Sequence, residues 1–144
     1  MGCKVWAASL ALAFGLSQAT VNFPFPQMSD YGGNATLLSD KAAASEQLKK
    51  QFLYWKQAMY NESGDIAGIR SDPGSDAYFS EGVGYGMLLM VYFSDNTTSY
   101  QAEFDKIWNF YKKFQNENGL MIWKIGNLSE SWDAGNGAAL DGDI

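Results

Sequence analysis

The spacing of apolar and polar positions divides the chain into segments of different period. Val5 to Leu16 is an almost unbroken apolar run, with Lys4 before it and Ser17-Gln18-Ala19 after it. A positive start, a short apolar stretch and a small-x-small close read as a secretory signal, with cleavage expected after Ala19. The run is too short for a bilayer, which takes about 20 residues, so no stable membrane anchor is expected. Residues 20–37, with Phe23-Pro24-Phe25-Pro26 and Gly32-Gly33, read as an extended, irregular entry.

From Ser39 to about Tyr60 the period becomes helical. Ser39 can cap, Asp40 suits the positive helix end, and the alanines raise propensity. Leu48, Phe52, Trp55 and Met59 form one stripe, with Lys49, Lys50 and Lys56 largely off it. Asn61 to Asp76, dense in Gly, Asp, Ser and Pro, reads as a loop. A second helix opens at Ser80. Its stretch from Met87 to Phe93 is apolar all round, which predicts burial on every side. A third helix covers about Ser99 to Phe114, with Tyr100, Phe104, Trp108, Tyr111 and Phe114 on its apolar face. On such stripes Trp55 and Trp108 read as ordinary core. Leu120 to Ile125 is a short extended segment and residues 126–137 a polar loop. Asp141-Gly142-Asp143-Ile144 ends without a cap or a polar tail, as an interrupted chain would. The fold class expected is all-α.

Composition then removes much chemistry. There is no histidine, which excludes Ser-His-Asp and Cys-His triads and His-ligated zinc. The single cysteine, Cys3, lies in the expected leader. The mature chain therefore has neither a thiol nucleophile nor a disulfide. A net charge of -6 argues against nucleic acid as a partner. Loop acids Asp65, Asp72, Asp76 and Asp133 lack metal-loop spacing, so neither metal nor cofactor is expected. Four N-x-S/T sequons, at Asn34, Asn61, Asn96 and Asn127, suit a glycosylated eukaryotic secreted protein and mean nothing in a bacterium.

What remains is chemistry on carboxylates, hydroxyls, amides, lysines or a carboxylate-held metal, and one segment singles out a carboxylate. In Glu81-Gly82-Val83-Gly84-Tyr85-Gly86, three glycines alternate at the opening of the apolar helix. Each costs about 1 kcal/mol against alanine there. Close approach of a neighbouring backbone or of a ligand would justify them. A dinucleotide fingerprint needs G-x-G-x-x-G after a buried strand, and this spacing fails it.

Ser80-Glu81-Gly82-Val83-Gly84-Tyr85-Gly86-Met87-Leu88-Leu89 closely resembles the S-E-G-x-G-Y-G-M-L-L segment of glycoside hydrolase family 8. Ala139-Leu140-Asp141-Gly142-Asp143 is similar to that family's A-[ST]-D-[AG]-D signature and departs from it at Leu140. Gly119-Leu120-Met121-Ile122-Trp123 is similar to its G-L-M-x-W strand, and Phe23-Pro24-Phe25-Pro26 to the opening of many members. The resemblance implies an (α/α)6 toroid, of which residues 20–144 would be the truncated N-terminal portion after a signal peptide at 1–19. It implies an endo-β-1,4-glucanase (cellulase) that inverts the anomeric carbon, a polysaccharide substrate and no cofactor. Glu81 would be the general acid. The general base would lie beyond residue 144, leaving this stretch inactive alone and the complete protein a monomer.

An inverting glycosidase needs only two carboxyl groups and a water, which a histidine-free chain can supply. A general acid must hold its proton until the leaving oxygen takes it. Glu81 therefore needs a dry setting or a carboxylate neighbour, and Asp141 is the candidate, binding the sugar ring at the scissile subsite. Asp141 as a helix N-cap is the competing assignment. Trp123, Tyr85 and Trp132 are candidate sugar-binding platforms, since flat aromatic faces stack on pyranose C–H groups; Trp132 reads equally as an ordinary loop residue. Alternatives to the glucanase are a chitosanase or xylanase of the same family, and a secreted non-catalytic carbohydrate-binding module.

Overall fold

The structure, a computed structural model, describes residues 40–128 and 137–144. The expected leader, the Phe23–Pro26 entry, Ser39, Trp132, Asp133 and the Asn34 sequon lie outside the described residues. Helix α1 spans Lys41–Met59. Its N-cap is Asp40, whose side chain accepts a hydrogen bond from the Ala43 amide at 2.9 Å. The acid expected to act on the helix charge therefore acts as the cap itself. The chain turns extended at Tyr60 and runs straight into the next element.

That element corrects the expected loop. Strands β1 (Tyr60–Ser63) and β2 (Ile66–Ile69) form an antiparallel hairpin, with Ser63 opposite Ile66. Gly64 and Asp65 are the two-residue turn. Gly64 has φ +64°, the left-handed conformation that a tight hairpin takes at its first central position. The sequence hid the hairpin because β1 is mostly polar and Gly68 breaks the alternation of β2. Space demands that glycine: a Cβ there would lie 2.4 Å from the Tyr78 ring.

A second small sheet pairs β3 (Tyr78–Phe79) with β4 (Lys124–Ile125), so the chain is mainly helical but not all-α. Helix α2 (Ser80–Phe93) continues β3 without a break, α3 covers Gln101–Lys113, and a single turn, α4, covers Leu140–Asp143. The core lies between β2, α2 and α3, around Ile69, Tyr78, Val83, Met90, Ile107 and Phe110. Phe52 joins α1 to it, stacking on Phe93 at 4.2 Å. The pairs Lys56–Glu103 and Lys106–Glu62 tie α1 and β1 to α3.

Two expectations about the helices need correcting. Helix α2 is buried on one side only, through Ser80, Val83, Gly86, Met90 and Phe93. Tyr85, Leu88, Val91 and Tyr92 are exposed. On α3 the buried face is set by Ile107, Phe110, Tyr111 and Phe114, which leaves Trp108 41% exposed rather than in the core. No helix among the described residues is long and apolar enough to cross a membrane.

Candidate active site

The junction of β3 with α2 builds the site. Phe79 pairs with Lys124, so the next residues along the two strands, Ser80 and Trp123, face each other. The Ser80 amide donates to the Trp123 carbonyl at 3.0 Å. Helix α2 starts after Phe79, which offers no side-chain cap, and this carbonyl satisfies one of its open donors. The strand partner does what a capping side chain does elsewhere.

Glu81 follows at once, half-buried in the first helical turn. Its Oε1 accepts from the Trp123 indole Nε1 at 3.2 Å, and its Oε2 from the Ser80 hydroxyl at 3.2 Å. Ser80 is buried, whereas Trp123 remains 41% exposed. The Trp123 ring is steadied by Phe79, with centroids 5.4 Å apart and planes at 47°. Glu81 opens onto a groove of about 570 Å³. Its aromatic walls are Trp55, Phe79, Tyr85 and Trp123, and its other charged residues are Arg70 and Asp72. The Arg70 Nε is buried and has no hydrogen-bond partner.

The alternate glycines place this helix. A Cβ on Gly84 would sit 2.6 Å from the Gly142 carbonyl oxygen, and one on Gly142 would sit 2.6 Å from the Ser80 carbonyl carbon. Helices α2 and α4 therefore cross backbone to backbone. Gly86 leaves room for the Ile69 side chain of β2, which a Cβ would approach to 2.4 Å, whereas Gly82 has ordinary contact distances and lies on the groove wall. Packing explains two of the three glycines.

The predicted site residues are thus distributed as follows. Glu81, Trp123 and Tyr85 share the groove. Asp141 is exposed and lines an adjoining hollow of about 230 Å³ with Trp108, and Tyr85 borders both spaces. The cap of α4 is Ala139, so Asp141 is not the helix cap. Trp132 lies outside the described residues.

Sequence reading missed three contributors. Trp55, assigned to the core, lines the groove; a helical stripe does not distinguish the two roles. Arg70 lies at the end of the unrecognised hairpin. Asp143 accepts from the Tyr111 hydroxyl at 2.9 Å and the Met121 amide at 3.0 Å, fastening α4 to α3 and to the approach of β4. Burial, and then the Asp143 carboxylate, push the Tyr111 phenol above its ordinary range. The signature Ala139–Asp143 pointed to Asp143 without saying what it holds.

Known proteins are similar to this chain in sequence and fold. The chain is 32% identical to endoglucanase 2 of Ruminiclostridium josui over 97% of its own length and 31% of the relative's. It is 34% identical to endoglucanase A of Acetivibrio thermocellus over 83% of its length and 25% of that protein's. A β-1,3-1,4-glucanase from Paenibacillus sp. X4, solved in its apo form, superposes with a TM-score of 0.71 at 26% identity, over 85% of this chain and 33% of that one. The chain spans about a third or less of these relatives. The family model for glycosyl hydrolases family 8 matches residues 23–144, and the chain belongs to that family.

Proposed function

We propose that this chain carries the acid half of a secreted, endo-acting glycoside hydrolase that cleaves internal β-1,4 links of cellulose or a related β-glucan with inversion. The observation that carries the reading is Glu81. It is a half-buried carboxyl group held by two donors on the wall of a groove with four aromatic residues. Aromatic walls suit an uncharged sugar polymer. Glu81 protonates the leaving oxygen, and a second carboxylate, outside these 144 residues, activates the water on the opposite face. Asp141, brought beside the start of α2 by the Gly84–Gly142 crossing, binds the sugar at the scissile subsite. The described helices form the first part of an (α/α)6 toroid, and the open apolar side of α2 packs against its later helices.

The test is Glu81→Gln in the complete enzyme. Reducing-sugar release from carboxymethylcellulose falls roughly a hundredfold to ten-thousandfold, while glucan binding persists. Undiminished release overturns the reading. Faster release from chitosan than from glucan moves the substrate to the runner-up, and binding with no turnover leaves a carbohydrate-binding module.

A further inference from the structure

Trp123 has two faces and an edge, and only the faces are needed to stack on a sugar. Its edge is used already: Nε1 donates to Glu81 Oε1. We propose that Trp123 is a positioning residue for the Glu81 acid, which fixes the oxygen that carries the transferable proton; the proposal rests on the glycosidase reading above.

The two partners of the carboxyl group differ in kind. An indole N–H donates and cannot accept, whereas a serine hydroxyl does either. Oε1 therefore faces a permanent donor. A carbonyl oxygen accepts better than the protonated oxygen of a carboxylic acid, so in the acid form the proton resides on Oε2, beside Ser80 Oγ. The serine hydroxyl turns to accommodate it. In the reaction the Oε2–H bond breaks, the proton passes to the glycosidic oxygen, and the C1–O bond breaks as water adds to C1 and gives its own proton to the base carboxylate outside these residues. Negative charge grows on Glu81 during that transfer. Trp123 at Oε1 and Ser80, turned back to donate, at Oε2 then both hold it. Their hydrogen bonds strengthen as the charge develops, so they favour the transition state over the ground state.

The fold holds the indole in place independently of any ligand. The Trp123 carbonyl accepts from the Ser80 amide, the Trp123 amide donates to the Gly137 carbonyl at 2.8 Å, and Phe79 packs beside the ring. The donor is therefore preorganised toward the acid.

Trp123→Phe keeps an aromatic face and removes only the N–H. A leaving-group series on the complete enzyme separates the two roles: cello-oligosaccharide, whose leaving sugar needs a proton, against 2,4-dinitrophenyl cellobioside, whose leaving group does not. The expected loss in kcat is at least about tenfold greater for the oligosaccharide. Equal losses on both substrates, a change in KM alone, or no loss overturn the proposal. In the 144-residue chain without substrate, the Trp123 indole ¹H–¹⁵N resonance moves upfield in Glu81→Ala; an unmoved resonance also overturns it. Glu81→Gln run on the same oligosaccharide keeps the outcomes apart, since full turnover there removes the glycosidase reading itself.

Discussion

The two sides of helix α2 have similar composition and opposite fates. One packs Val83, Met90 and Phe93 among residues of β2, α1 and α3, with Gly86 letting β2 come close. The other presents Tyr85, Leu88, Val91 and Tyr92 to the outside. Hydrophobicity alone gives no reason for the choice. What separates the sides is what lies against them: β2, α1 and α3 cover the first, whereas Tyr85, Leu88 and Val91 on the second border an open hollow beside α4. A helix that is apolar all round therefore indicates how much surface it can bury, and its neighbours decide how much it does bury.

This contrast can be broken by substitution on either side. The largest effect is expected at Met90, which is 1% exposed: Met90→Ala should destabilise the chain by about 2–5 kcal/mol, read by urea unfolding. A cost below about 1 kcal/mol would mean that the inner side is not core.

The turn that follows α2 should respond to pH. There the Asp95 carboxylate accepts from the Thr97 hydroxyl at 2.7 Å and from the Thr97 and Thr98 amides at 2.8 Å each. The Thr97 hydroxyl is the largest cause that lowers its pKa from 3.8 to about 2. The folded state thus holds the ionised form. The stabilisation is complete above the ordinary value, and it is lost as pH falls from about 4 through about 2. Asp95→Asn should flatten that part of a stability–pH curve, and an unchanged slope would contradict it.

The smallest effect is expected on the outer side. Leu88, 48% exposed, should tolerate Gln within about 0.5 kcal/mol in this chain. A larger penalty would show that the outer side is already packed, and would erase the contrast.

Helices α1 and α3 were legible because each has enough turns for a 3.6-residue period to show, and α2 as an unbroken apolar run. The hairpin was not, because its strands are four residues long and β1 is mostly polar. Strand pairing is a contact between segments and leaves little trace in either one. The same holds at the site. Glu81 stood out through the glycines beside it, whereas Trp55 and Arg70 reach the groove only because α1 and β2 pack beside α2.

By itself, the sequence determined the chemistry available: no imidazole, a single thiol at Cys3, and a carboxyl group at the start of a helix rich in alternating glycine. It determined how much apolar surface α2 has available to bury, since solvation free energy depends on atom type and not on position. Tertiary structure decided which side of α2 is buried and that Trp108 stays at the surface. It also brought the Trp123 indole, 42 positions along the chain, to the Glu81 carboxylate. The reason is physical: a hydrogen bond of 3.2 Å depends on the register of β3 with β4 and the backbone crossing at Gly84, and neither is a property of any single segment.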